Sequence, residues 1–283
     1  MKILITGGLG LVGSTLAKKL AEDKENEIIV LDNFFTGKRK NLSRDIYVIK
    51  DETKNIDRII DFEIFNFKPD VIYHLGEYSR VMTSFKDIEK VIEYNVLGTL
   101  AVIEYCRKHK IRLIYAGSST KFGDVESPYS FFKKQNTEII KKYGKWYGLD
   151  YAIAYFYNVY GENQISRGKY ATLIGILEEN VKNNKPHKIN KPGTQKRIFT
   201  HVDDVVDGLI LIGEKGKGEY CLGSKEEYSI LKVAKMFGGK IEMQEAKKGD
   251  RNYSKINLNR IERLGWKARR SLKSYINSTF KRR

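Results

Sequence analysis

A glycine-rich turn near the start of the chain constrains the fold more than any other feature. In Ile3-Leu4-Ile5-Thr6-Gly7-Gly8-Leu9-Gly10-Leu11-Val12-Gly13, Gly7, Gly10 and Gly13 form a G-x-x-G-x-x-G pattern between a strand-like run and a helix-like one. Glycines there permit a tight turn and a close backbone approach to a pyrophosphate, which the helix N-terminus favours electrostatically. Any tight strand-to-helix turn accepts glycine, so the turn alone discriminates weakly. The next strand-like run, Ile28–Leu31, ends in Asp32, 25 residues beyond Gly7, where a carboxylate can accept both hydroxyls of an adenosine ribose. Strand, glycines, helix, strand and acid in this order predict a dinucleotide site. Asp32 repels a 2′-phosphate and so favours NAD over NADP, with Lys38 and Arg39 pulling the other way.

Further along, Ile46–Ile49, Val71–Leu75, Ile111–Ala116 and Tyr151–Tyr155 read as strands. Leu11–Asp23, Ile56–Asn66, Ile88–His109 and Pro128–Tyr147 carry helical spacing between several of them. Continuous apolar strands separated by helices predict an α/β fold with a doubly wound parallel (Rossmann) sheet covered on both faces. After Asn158 the pattern loosens and glycines and lysines accumulate, which marks a second, less regular lobe.

With 41% hydrophobic and 31% charged residues in 283, the chain can bury a sizeable core, and wholesale disorder is excluded. No apolar run approaches the ~18 residues of a membrane span. Met1–Thr6 lacks the long apolar region of a signal peptide. Cys106 and Cys221 suit a reduced compartment and suggest neither a disulfide framework nor a metal site. A soluble, cytoplasmic protein is expected. The formal charge is +17, and residues 240–283 hold fourteen Lys/Arg against four Asp/Glu. Such asymmetry fits an anionic partner, a nucleic-acid or membrane surface, or a lysine-rich solvated face.

Ser127-Pro128-Tyr129-Ser130-Phe131-Phe132-Lys133 reads as a helix start, with Ser127 as N-cap and Pro128 in the first turn. Tyr129 and Lys133 are then i, i+4 on one face. A lone Y-x-x-x-K also arises from a tyrosine packing on a lysine stem. The pair gains meaning from Gly117-Ser118-Ser119-Thr120 at the end of the preceding strand, where alternation sends Ser118 and Thr120 to one side. A hydroxyl at a strand's carboxyl end opposite a Tyr/Lys pair suits proton transfer at a carbinol.

With these residues in order, the chain resembles the extended short-chain dehydrogenase/reductase family, in its NAD-dependent sugar-nucleotide epimerase/dehydratase branch. The similarity runs essentially end to end. Thr6–Gly13, Asp32-Asn33 with Thr36–Leu42, Asp51, His74-Leu75, Ser84, Asn95-x-x-Gly98-Thr99, Asn158-Val159-Tyr160-Gly161, Arg197-x-Phe199-x-His201-Val202-Asp203-Asp204 and Leu264-Gly265-Trp266 all match its motifs. The resemblance implies an NAD-binding domain at 1–157 plus about 198–222, and a smaller, interleaved α/β substrate lobe at about 158–197 and 223–283. It implies Ser118, Tyr129 and Lys133 as catalytic residues. It assigns Gly7, Gly10, Leu11, Val12, Asp32, Asn33, Lys38, Asp51, Leu75, Gly76, Asn95, Tyr129 and Lys133 to NAD. Glu77, Thr120, Asn158, Arg197 and Arg251 are implied for a nucleotide-sugar substrate, with no metal. A homodimer through helices Ile88–His109 and Pro128–Tyr147 is also implied, with neither a membrane nor a specific nucleic acid as partner.

The resemblance also narrows the reaction. Dehydratases of the family carry Asp and Glu where Ser119 and Thr120 stand here, and the xylose-forming decarboxylases carry Glu at the Thr120 position. Ser-x-Thr is the epimerase-like pattern, implying reversible oxidation at sugar C4 of the UDP-glucose/UDP-galactose type. A net 4-dehydrogenase or reductase is the alternative. In a different class stands a nucleic-acid-binding protein on a redundant Rossmann scaffold, without a recognition signature to support it. Gly76-Glu77 replaces a usual pair of alanines beside the nicotinamide, so Glu77 either stabilises NAD⁺, contacts substrate or points to solvent. Tyr155 replaces a usual arginine, and a short stretch from Gly123 to Tyr129 reduces the loop over the sugar pocket.

Overall fold

Strand geometry turns successive side chains of the first apolar run to opposite sides of a sheet. In the computed structural model, which describes residues 1–64, 66–124, 126–245 and 255–280, Ile3 and Ile5 enter one core and Leu4 the other. The strands are β1 Lys2–Thr6, β2 Glu27–Leu31, β3 Tyr47–Ile49, β4 Val71–His74, β5 Arg112–Ser118, β6 Tyr151–Phe156, β7 Val159–Tyr160, β8 His187–Asn190, β9 Lys196–Ile198, β10 Thr200–His201, β11 Gly218–Leu222, β12 Glu227–Ser229 and β13 Ile241–Gln244. The helices are α1 Leu11–Leu20, α2 Ile56–Arg58, α3 Ile88–Val91, α4 Gly98–His109, α5 Pro128–Tyr147, α6 Leu173–Lys182, α7 Val202–Lys215, α8 Ile230–Phe237, α9 Asn259–Arg263 and α10 Leu272–Phe280.

Seven strands form one sheet in the order β11-β6-β5-β4-β1-β2-β3, with every pairing parallel. Six of them are the runs expected from sequence, shifted by a residue or two at their ends, and the seventh is β11. On one face Leu16, Ala17 and Leu20 of α1 pack with Val205, Val206, Leu209 and Ile212 of α7. On the other, Val102, Ile103 and Cys106 of α4 pack with Ile140 of α5 and the Ile56–Ile60 segment. Neither face of the sheet is left to water, which is why its strands read as unbroken apolar runs.

Two of the expected helices are not uniform. Ile88–His109 is one continuous rod, but Ile92–Leu97 winds in a wider turn between α3 and α4. Ile59–Glu63 does the same after α2. Inserted wide turns re-aim side chains, and they recur at functional sites. Here the Ile92–Leu97 turn carries Asn95, which is fully buried.

The smaller unit is built from short two-stranded pairings, β8 with β13 and β9 with β12, and from α6, α8 and α10. Its core joins Ile174, Leu177, Ile189, Phe199, Val233, Phe237, Leu272 and Ile276. The Asp203-Asp204 and Leu264-Gly265-Trp266 motifs meet each other and carry structure. Asp204 is buried and accepts from the backbone N–H groups of Arg269 and Arg270, while the Arg270 guanidinium reaches its other oxygen at 2.7 Å. The Trp266 indole donates to the Asp204 carbonyl at 2.9 Å. Part of the basic C-terminal segment thus serves to neutralise the acidic N-terminus of α7. No helix among the described residues is long and apolar enough to cross a membrane.

Candidate functional site

The chain crosses from β3 on one side of β1 to β4 on the other, so the connections diverge at the carboxyl ends of β1 and β4. Open parallel sheets bind ligands in the crevice at such a point. A cavity of about 880 Å³ opens there and extends into the smaller unit. Gly7, Gly10, Leu11 and Val12 line it, and the N–H groups at the start of α1 have no partner within the helix and face this end.

Close approach explains the glycines. Gly7 has φ +68°, and a Cβ on it would lie 2.7 Å from the Gly76 backbone; a Cβ on Gly13 would lie 2.3 Å from the Gly7 carbonyl. Asp32 follows β2 and accepts from the Leu9 N–H at 2.9 Å and the Phe34 N–H at 2.8 Å. Burial pushes its carboxyl pKa up, and these two N–H groups oppose the rise. A carboxylate has about four acceptor positions, which leaves capacity for ribose hydroxyls. The glycine cradle and the buried acid together fit a dinucleotide.

Leu75, Gly76 and Asn33 also line the cavity, whereas Lys38, Asp51 and Asn95 do not. Asp51 is turned to Asn55 at 2.7 Å and to Arg58, and the neighbouring Glu52 and Thr53 take the cavity wall. Asn95 clasps the main chain of Tyr78, accepting from its N–H at 2.7 Å and donating to its carbonyl at 3.0 Å. It therefore holds the loop that bears Gly76 and Glu77.

The reacting end lies at the end of β5. The strand stops at Ser118, and a tight turn over Ser119–Phe122 brings Thr120 back, so that its hydroxyl donates to Ser118 Oγ at 2.9 Å. Turn geometry, rather than the strand alternation expected from sequence, unites the two hydroxyls. Gly117 precedes them because the Tyr155 ring packs against β5 there, where a Cβ would come within 2.6 Å of it. Tyr155 is a core residue whose hydroxyl accepts from Lys121 at 2.7 Å and pairs with Glu219.

Opposite stands α5, capped as its sequence predicts. Ser127 Oγ accepts from the Ser130 N–H at 3.1 Å, and Ser130 Oγ accepts from the Ser127 N–H at 2.9 Å. Tyr129 and Lys133 are nearly buried on the inward face and line the cavity with Ser118 and Thr120. Lys133 pairs with Glu77 and donates to the Ala116 carbonyl. Glu77 is thus turned inward, away from solvent. At the far side, Asn158 and Arg197 line the cavity. Asn158 has φ +32° and donates to the Ile198 carbonyl at 2.7 Å, while Arg197 donates to the Lys196 carbonyl at 2.8 Å. Arg251 lies outside the described residues.

Sequence reasoning did not single out Tyr115 or Asn136 and named Thr99 only as part of a matching motif; all three surround Glu77. Asn136 sits at i+3 from Lys133 and so shares its helical face, a spacing that could have revealed it. Gln164 and Gln195 were also passed over. They line the cavity, and each has a buried amide atom without a hydrogen-bond partner among the described residues. Among the described residues, no group of three or more His, Cys, Asp or Glu is placed to hold a metal ion.

Comparison with known proteins agrees with this architecture. Residues 3–223 match the model of the NAD dependent epimerase/dehydratase family. A putative UDP-glucose 4-epimerase from Methanocaldococcus jannaschii is 29% identical, over 97% of this chain and 95% of that protein. UDP-glucuronic acid decarboxylase 3 from Arabidopsis thaliana is 30% identical, over 83% of this chain and 72% of its own. Among solved structures, UDP-glucose 4-epimerase from Thermotoga maritima with UDP-glucose superimposes with a TM-score of 0.92 at 24% identity, covering 99% of this chain and 98% of that one.

Asp32→Ala is expected to weaken NAD binding by ~1–3 kcal/mol through loss of a charged hydrogen-bond acceptor. Calorimetric titration measures it, and tighter binding of NADP than of NAD by the unaltered protein would contradict the role given to Asp32.

Proposed function

The chain belongs to the NAD-dependent epimerase/dehydratase family, and within it we propose that it is a nucleotide-sugar 4-epimerase of the UDP-glucose/UDP-galactose type. The observation that carries this reading is the chemistry beside Ser118. Ser119 and Thr120 stand where the family resemblance implies the acids of dehydratases and decarboxylases. The carboxylates lining the cavity among the described residues are Asp32, Glu52, Glu77 and Glu93. Asp32 and Glu52 belong to the dinucleotide end, Glu93 pairs with Lys54, and Glu77 is engaged by Lys133. Hydroxyls and a Tyr/Lys pair remain to act on the sugar, which suits removal and return of hydrogen at one carbinol without loss of water or carbon dioxide.

NAD supplies the hydride acceptor and later the hydride donor. Tyr129 takes the proton of the C4 hydroxyl as a phenolate and returns it at the end of the cycle. A tyrosine hydroxyl ordinarily titrates near ~10, and a neighbouring ammonium ion, Lys133, stabilises its anion. Ser118 Oγ hydrogen-bonds the reacting oxygen, and Thr120, already donating to Ser118, orients it. The pocket would have to let the 4-keto sugar turn over, so that the opposite face of C4 could be presented to the bound cofactor. Arg197, on the wall contributed by the smaller unit, clasps the diphosphate through charge-assisted hydrogen bonds, and Asn158 supplies an amide contact.

We also propose a homodimer. Ile92 and Leu97 on the Ile88–His109 rod, with Phe131 and Trp146 on α5, are 41–61% exposed. Val91, Val102, Ile103 and Ile140 of the same helices are fully buried in the cores, so the outward faces alone are free to pair. Pairing would remove these large apolar side chains from water.

The reading is tested by incubating the purified protein with UDP-glucose, where UDP-galactose should form without net NADH. Tyr129→Phe is expected to keep NAD binding and lower turnover ~10²-fold or more, measured by steady-state kinetics. Arg197→Ala is expected to raise KM for the nucleotide sugar with NAD affinity unchanged, and unaltered sugar-nucleotide binding would remove Arg197 from the site. For the dimer, light scattering at micromolar concentration should give twice the mass of 32.7 kDa. A monomer there would reject the dimer.

A further inference from the structure

Lys133 brings a positive charge into a pocket where its side chain is 6% exposed, and the acid that meets it, Glu77, is 4% exposed. Three further donors converge on Glu77 Oε1: the hydroxyls of Thr99 and Tyr115, each at 2.9 Å, and the Asn136 amide at 3.0 Å. They come from α4, β5 and α5, so three elements must pack before the carboxylate is satisfied. Ion-pairing to Lys133 through the other oxygen completes a site built for a charged acid rather than a protonated one.

The network behind it has a single consistent direction. Thr6 Oγ1 accepts from the Leu75 and Gly76 N–H groups at 3.2 and 3.0 Å, leaving its own hydrogen for His74 Nδ1 at 2.7 Å. The His74 Nε2–H then donates to Thr99 Oγ1 at 3.0 Å, and the Thr99 hydrogen goes to Glu77. That order needs a neutral His74, in keeping with burial pushing its pKa down to about 4. Asn95 pins the main chain of Tyr78, next to Glu77, and donation from Asn136 to the Asn95 carbonyl at 2.6 Å ties the same clasp to α5. Glu77 is therefore rigidly presented to Lys133.

We propose that Glu77 is a positioning residue for the proton transfer: it aims the Lys133 ammonium, keeps it charged, and sets the pH window in which that ammonium and the Tyr129 phenolate coexist. This rests on the reading of Tyr129 as the group that takes the sugar proton. The charge balance supports it. With oxidised NAD bound, the nicotinamide and Lys133 carry two positive charges, and the phenolate supplies one negative charge. The Glu77 carboxylate offsets the ammonium and leaves the phenolate to balance the nicotinamide, in a site where burial penalises unbalanced charge. Burial depresses the Lys133 pKa, and Glu77 opposes that depression. The other titratable groups facing the pair are Tyr115 from β5, whose pKa burial and Glu77 push far up, neutral His74 from β4, Tyr129 from α5, and the Arg80 guanidinium beside Tyr129. None of these supplies a second negative charge while Tyr129 remains protonated.

Removing one negative charge lowers the pKa of every neighbour, phenol and ammonium alike. Glu77→Gln is therefore expected to move both limbs of the kcat–pH profile to lower pH, by ~1 pH unit or more, with the greatest loss on the alkaline side. Glu77→Asp, which keeps the charge, should hold both limbs near those of the parent even if kcat falls. Glu77→Ala, with room for water in place of the carboxylate, is read in the same way as Glu77→Gln and serves if the amide fails to fold. A readout independent of turnover is the ultraviolet titration of the phenolate in NAD-loaded protein without sugar, taken as the difference from the matching Tyr129→Phe variant. It should shift to lower pH in the charge-removing variants. Profiles that merely scale down, with limbs and phenolate titration unmoved, would overturn the proposal. If the parent epimerises no nucleotide sugar, the functional reading fails, and the phenolate titration still decides the role of Glu77.

Discussion

No side chain fits between the first strand-to-helix turn and the end of β4. Gly7 and Gly76 face each other there at a separation that a single Cβ would violate, and Gly13 in the first turn of α1 packs as closely on the Gly7 carbonyl. Thr6 spans the junction, its hydroxyl bonding both the main chain after β4 and His74. This contact closes the crevice where the strand order reverses. It brings the N-terminus of α1, the acid after β2 and the loop after β4 around one cavity. The remaining parts of the site are placed relative to it.

Two kinds of order meet in that cavity. The dinucleotide end is made of backbone: glycines, N–H groups at a helix start, and an acid held by two main-chain donors. Such a surface tolerates little substitution, because the space it leaves is set by peptide geometry. The reacting end is made of side chains from α5 and β5, whose placement depends on capping, on a tight turn after Ser118 and on the Tyr155 ring beneath Gly117. The proposed chemistry lives at this second end, where a buried lysine and a buried glutamate pair. A buried ion pair of this kind costs desolvation, and it is held by donors from three separate elements.

The wide turn at Ile92–Leu97 links the two ends. It carries Asn95 to the Tyr78 main chain and its carbonyl to Asn136, so that the loop after β4 and the helix bearing Lys133 are tied by one residue. Asn95 was read from sequence as a cofactor contact. Its place in the structure is behind the wall, where it fixes the residues that do line the cavity.

Much of this was legible in the chain itself. Six of the seven sheet strands, the nucleotide turn, Asp32 and the cap of α5 follow from local rules: short unbroken apolar runs, glycine at tight turns, a hydroxyl before a helix. These depend on neighbours a few residues apart, which the sequence displays directly. The i, i+4 spacing of Tyr129 and Lys133 is of the same kind. The partners of Glu77 are not, because Thr99, Tyr115, Asn136 and Lys133 lie 22 to 59 residues from it and meet only when α4, β5 and α5 pack. Whether Glu77 stabilises NAD⁺, contacts substrate or points to solvent was open in the sequence for that reason. The same holds for Asp51, drawn away by Asn55 and Arg58, and for Asp204, claimed by the C-terminal segment. Local sequence determined which elements form and which end of the sheet could bind a dinucleotide. Tertiary packing alone decided which charges face one another in the buried pocket, because burial makes every unpaired charge costly and only the assembled elements supply the partners.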